Sequence, residues 1–250
     1  MILQGGCIAV LVAVHLFAGR LRFLDGTPRS RWLSFAGGLS VGYVFVHLFP
    51  ELEEAQVALE EHLAIDWLGH HAYVVALAGL VAFYGLERLV TTNRRRRDEP
   101  GDGAGDGAAA GSSAHAGDGV FWVHVASFTV YNALIGYLLV HRVDQGASEL
   151  AWYTLAMALH FVVNDHGLAE DHHEVYRRIG RWALAGAVVV GWAVGLAVEV
   201  GEAIVHVLFA LLAGGIVLNV LKEELPEQRE SRFVPFVGGA ALYTALSLVG

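Results

Sequence analysis

Hydrophobic and polar positions along the chain fall into long apolar runs separated by short charged segments. The runs lie near 1–18, 32–49, 68–87, 120–140, 149–167, 182–199, 203–221 and 233–249. Each is roughly 18 residues or more, which at about 1.5 Å of helical rise per residue covers a hydrocarbon core about 30 Å thick. The pattern therefore predicts eight transmembrane helices.

The charges between the runs decide count and orientation together. With eight alternating spans, every basic residue except Arg142 falls on one side. Arg20, Arg22, Arg29 and Arg31 follow span one; Arg88 and Arg94 to Arg97 follow span three; Arg177, Arg178 and Arg181 follow span five; Lys222, Arg229 and Arg232 follow span seven. Short loops rich in Lys and Arg stay cytoplasmic. Both termini are thus expected outside, in an integral plasma (inner) membrane protein whose first apolar run is retained rather than cleaved as a signal.

Composition narrows the class. With 250 residues and 55% hydrophobic content, the chain has no room for a separate globular domain, so 1–250 reads as one polytopic domain. No nucleic-acid partner is expected, and the net charge of −9 comes in part from Glu51, Glu53, Glu54, Glu60, Glu61 and Asp66, an acidic outward loop between spans two and three. Such a loop suits cations or is simply solvated. Cys7 is the only cysteine, which rules out a disulfide framework or thiolate cluster and leaves N and O ligands for any metal.

Residues 94–119, RRRRDEPGDGAGDGAAAGSSAHAGDG, cannot bury an apolar face and read as a flexible cytoplasmic loop between spans three and four. An internal echo is more informative. Span two reads AGGLSVGYVFVHLFPE from Ala36 to Glu51, and span seven reads AGGIVLNVLKEELPE from Ala213 to Glu227. Five steps separate the two spans, so the copies cross the bilayer in opposite senses. That is the mark of an inverted repeat, which in transporters places a site near the midplane; close packing at small residues is the alternative reading.

These features resemble the Zrt-, Irt-like (ZIP) family of divalent metal transporters over nearly the whole chain. The family's second and seventh spans end in HLLPE- or DLLPE-like sequences, to which HLFPE (His47 to Glu51) and EELPE (Glu223 to Glu227) are similar. Its fourth-span signature, HN-x-x-(D/E)-G, corresponds to YNALIG, Tyr131 to Gly136, where Tyr131 and Ile135 replace the His and the carboxylate. Its fifth-span signature, HE-x-PHE, corresponds to HFVVND, His160 to Asp165: His160 is kept, Phe161 and Val163 break the pattern, Asn164 stands for the second His and Asp165 for the last Glu. The resemblance implies an inverted 3+2+3 helix arrangement, a zinc, iron or manganese ion as substrate, no organic cofactor, inward transport and a homodimer.

Ionisable side chains inside a span are costly and usually face a bundle interior or a pathway. His160 and Asn132 have matching depths near the midplane, and His160 and Asn164 share a helix face. Asp165 is turned by roughly 140° from His160. The candidate site is His160 as imidazole ligand, Asp165 as carboxylate, Asn132 and Asn164 as amide donors, and Asn219 as a fifth. These are too few for two metals, and amides in place of imidazoles favour harder, oxygen-loving cations. After span five, His166, Asp171, His172 and His173 form a candidate cytoplasmic exit site, or else a solvated helix end. His15, His124 and His206 stand isolated on apolar helices and read as structural.

The leading expectation is a divalent cation transporter, not an enzyme, with its site between spans four and five. Two alternatives stay open: a non-transporting homologue serving as metal sensor or scaffold, and an integral-membrane metal hydrolase.

Overall fold

In the computed structural model the described residues are 1–20, 30–62, 71–98, 109–142, 146–171, 175–224 and 232–248. The architecture is all-α. The helices are α1 (Ile2–Phe17), α2 (Arg31–Tyr43), α3 (Phe49–His62), α4 (His71–Asp98), α5 (Ala109–His141), α6 (Ala147–Asp171), α7 (Arg181–Ala197), α8 (Glu202–Glu224) and α9 (Phe233–Ser247). A π turn over Val44–Leu48 joins α2 to α3 as one rod. Pro50 accounts for it, since proline cannot donate to the carbonyl of Val46 and its ring crowds that oxygen. The described residues thus form eight rods.

Among the described residues, four segments are long and apolar enough to cross a membrane: Ile2–Arg20, Arg31–Glu60, Tyr176–Ala197 and Glu202–Lys222. His71–Leu86, Val125–His141 and Phe233–Ser247 are shorter apolar helices. Large apolar side chains point outward on rod after rod, among them Val10, Leu77, Val130, Val190, Ile204 and Val237. Such a surface is compatible with lipid as its solvent. The remaining rod, α6, behaves differently. From Val163 to Ala169 every one of its residues is buried, so its polar half is packed inside protein.

Three helix pairs form the frame: α2 with α9, α4 with α8, and α5 with α7. In each pair both partners present a glycine to the other's backbone. A Cβ at Gly38 would strike the Phe236 carbonyl and one at Gly239 that of Phe35; Gly79 and Gly214 meet Leu211 and Ala76 in the same way, as do Gly136 and Gly191 with Val188 and Ala133. Small residues permit this backbone approach, which yields packing that side chains in lipid cannot obtain from a hydrophobic effect. The α6 rod packs on α1 and α2 and carries the polar centre between the pairs.

Two segments differ from the sequence reading. Glu51 to Glu60, expected as an acidic loop, is helical: Leu52, Ala55 and Leu59 bury one stripe of α3 while Glu53, Glu54 and Glu60 face outward. That spacing is the i, i+3, i+7 pattern of an amphipathic helix. Gln56 on the buried stripe accepts at 2.8 Å from the backbone N–H of Ala72, satisfying one of the orphan donors that begin α4. In the 94–119 segment, α4 continues to Asp98 and α5 starts at Ala109; alanines at 109, 110, 114 and 116 favour helix there. Residues 99–108 lie outside the described residues.

Candidate functional site

The last turn of α1 delivers His15 into the middle of the bundle, with no exposure to solvent. Its Nδ1 lies 2.7 Å from Oδ2 of Asp165 on α6, and its Nε2 lies 2.8 Å from Oδ1 of Asn132 on α5. Asp165 and Asn132 are likewise fully buried. The ring of Phe161 packs against the imidazole at 4.2 Å between centroids. Tyr176 closes the cluster from the α7 side, its hydroxyl donating to the His15 carbonyl at 3.4 Å.

The orientation of Asn132 settles the proton count. Its Nδ2 donates to the Phe128 carbonyl at 2.7 Å, so the oxygen is the atom that faces His15. Nε2 must then carry a proton to donate. Nδ1 in turn either donates to a carboxylate or accepts from a carboxylic acid. In both arrangements the His15–Asp165 pair holds one proton more than a neutral imidazole beside a carboxylate. The pair is therefore electrically neutral as a unit, which lowers the cost of placing it in a dry interior. The other oxygen of Asp165, Oδ1, is buried and accepts no hydrogen bond of good geometry among the described residues, although the Tyr176 hydroxyl also lies against this carboxyl group.

A second polar chain runs beside the first. His160 Nε2 is 3.0 Å from the hydroxyl of Tyr131, and Asn219 on α8 lies beside that hydroxyl with its Nδ2 unpartnered among the described residues. Phe161 separates the two chains: its ring stands 6.2 Å from that of His160 and 4.2 Å from that of His15. A crevice between α4, α5 and α8 reaches Asn219 and is lined by Phe83, Ser127, Phe128, Leu218 and Lys222.

The sequence-based candidates thus separate. Asn132 and Asp165 come together, but around His15 rather than His160. His160 and Asn219 come together through Tyr131. Asn164, although buried, joins neither chain, and its amide nitrogen has no partner among the described residues. The physical reason is the helical period, which turns positions 160 and 165 of α6 to different neighbours. Asp165 lies inside the bundle, with no exposure. Among the described residues no three His, Cys, Asp or Glu side chains converge as a metal cage. Of the expected exit site, His166 is buried in α6, Asp171 ends that helix, and His172 and His173 lie outside the described residues.

His15 is the residue that sequence reasoning missed. The available signal was an ionisable group within an otherwise apolar run; what the sequence lacked was its partners. His206, by contrast, is partly exposed and lies 3.7 Å from Glu202 one turn earlier in α8, consistent with a peripheral role.

At the end of the bundle that carries the α5–α6 connection, Arg142 pairs with Glu51 of α3, and both side chains are largely buried. The guanidinium also lies over the rings of Tyr153 and Phe209, 5.1 and 5.2 Å from their centroids. Nearby, His47 bonds the Tyr243 hydroxyl at 2.9 Å.

No protein-family model, curated protein or solved structure matches this chain.

Proposed function

We propose that this protein is an integral-membrane permease for a divalent metal cation, organised as in the ZIP family but with a reduced, single-cation site. The observation that carries the reading is the fully buried carboxyl group of Asp165, whose Oδ1 accepts no hydrogen bond of good geometry among the described residues and which is set beside an imidazole, an amide oxygen and the Tyr176 hydroxyl. A carboxylate lone pair left without a donor in a dry interior is costly unless a cation visits it. One imidazole, one carboxylate and one amide oxygen suit one cation, with further oxygen ligands from water, and favour a hard ion of the manganese or iron type over zinc.

The helix pairing supports the inverted arrangement. Under an inverted 3+2+3 repeat, α1 exchanges with α7, the α2–α3 rod with α8, α4 with α9, and α5 with α6. That exchange turns the α2·α9 pair into α8·α4, and the α5·α7 pair into α6·α1; all four contacts are present. The distribution of Lys and Arg supports termini facing outward. Dimerisation is carried by the family resemblance alone.

The test is divalent cation uptake into proteoliposomes, screening manganese, iron, zinc, cobalt and cadmium. Saturable uptake that disappears in His15→Ala and Asp165→Ala but persists in His206→Ala is the expected result. Absence of uptake by folded protein for every metal would sink the reading. One observation favours the alternative of a non-transporting homologue: both ring nitrogens of His15 already have protein partners, so the cluster is satisfied at that residue without a metal.

A further inference from the structure

Arg142 is the one basic residue on the side of the chain where the charge pattern places no others. Its side chain is largely buried, as is that of its partner Glu51. Taking two charges out of water is expensive, and a buried ion pair is weak evidence of stability for its own sake. Its position is informative. Arg142 follows α5 directly, and Tyr153, one of the two rings beneath its guanidinium, belongs to α6. Glu51 belongs to the α2–α3 rod and Phe209, the other ring, to α8. The ion pair and the Phe209 contact therefore cross from α5 and α6, which carry Asn132 and Asp165, to the two rods that carry the echoed AGG segments.

At the opposite end of the bundle the packing between α5 and the α4–α8 pair leaves only a narrow crevice. There Ser127 and Phe128 of α5 face Phe83 of α4 and Leu218, Asn219 and Lys222 of α8 across the crevice. Between the two ends, α6 presents Tyr153, Met157 and Phe161 at successive turns, which leads from the ring under Arg142 to the ring against His15. Met157 is fully buried.

We infer that Arg142 and Glu51 form an ionic latch that closes the outer end of the cation pathway, and that the pair parts when the outward-open state forms. The inference rests on the permease reading above. Deep-lying charge attraction, aided by two ring faces, holds the boundary shut, while cations arriving at Glu51 compete with the guanidinium for its carboxylate.

The test uses the full chain with Cys7→Ser, which removes the native thiol, and Met157→Cys as a reporter between latch and site. A membrane-impermeant thiol reagent is applied from the outer face of vesicles, and labelling is read by mass spectrometry. With the latch intact the reporter stays protected. In Arg142→Ala and in Glu51→Gln it labels at least about tenfold faster, because removal of one partner of a buried pair disfavours the closed state. The exchanged pair Glu51→Arg/Arg142→Glu labels more slowly than either single variant, regaining the ionic part of the protection but not the part due to the two rings. Slow labelling in the single variants, or labelling of the exchanged pair as fast as theirs, would overturn the latch. Should a single variant fail to run as a monodisperse species, a reducible cross-link between Glu51→Cys and Arg142→Cys replaces it. Uptake then falls on cross-linking and returns on reduction; uptake indifferent to the cross-link overturns the latch. Parent protein that takes up no metal sinks the permease reading alone, since the labelling result stands apart from flux.

Discussion

His15 and Asp165 lie 150 positions apart in the chain, yet Nδ1 of one is 2.7 Å from Oδ2 of the other and neither side chain is exposed. The contact ties α1 to α6, and through Asn132 it ties both to α5. Three rods thus meet on one imidazole. Removing a single partner leaves a buried charge or donor uncompensated, at a cost of about 3 to 5 kcal/mol. His15→Ala and Asp165→Ala should therefore each lower the thermal midpoint in detergent, and the double variant should lose much less than the sum. Additive losses would show that the pair is not coupled.

The glycine pairs make a sharper prediction about packing. Gly191→Ala pushes a methyl into the Ala133 carbonyl across the α5–α7 interface, whereas nothing lies within 4 Å of a Cβ at Gly186 in the same helix. The first substitution should cost about 1 to 3 kcal/mol of overpacking. The second should be neutral or stabilising by up to about 1 kcal/mol, the helix propensity difference between glycine and alanine. Parallel melts of the two variants check this, and equal midpoints would contradict the close approach.

Metal binding should release a proton. The His15–Asp165 pair holds one proton more than neutral imidazole and carboxylate, as the fixed orientation of Asn132 requires. A cation on Asp165 displaces it, since ligands bind metal in their deprotonated forms. Titrating the chosen metal into weakly buffered protein should liberate about one proton per cation bound, and none in Asp165→Asn. Binding without proton release would move the cation away from this pair.

Tyr131→Phe separates the two polar chains. Loss of the hydroxyl leaves the buried Nε2 of His160 without its partner, at a cost of about 1 to 3 kcal/mol. If the cation binds at the His15 cluster, its half-saturating concentration in uptake should stay unchanged while the thermal midpoint falls. A large rise in that concentration would bring His160 into the site.

Much of the fold is legible in the chain itself, and for a local reason. Apolar length, the placement of Lys and Arg and the AGG echo are properties of contiguous residues. They are enough to mark an all-α chain with apolar helices, and the small residues that let helices approach. The acidic 51–60 segment escaped because its apolar positions, Leu52, Ala55 and Leu59, are sparse among glutamates, and their value depends on α4 and α8 lying alongside.

The polar centre was only half legible. Asn132, Asp165 and His160 stand out because any polar side chain deep in an apolar run must find a partner, and that requirement is visible one residue at a time. Which partner it finds is not. His15 looked isolated because its own helix holds nothing to bond; its partners arrive on α5 and α6, and a rotation of one helix by a single residue would send Asp165 elsewhere. Composition and hydropathy determined that several helices are long and apolar enough to cross a membrane, and which polar residues within apolar runs cannot be idle. Tertiary packing alone decided that Asp165 meets His15 rather than His160, and that Arg142 meets Glu51, because such meetings are set by helix rotation and crossing and not by any run of neighbours along the chain.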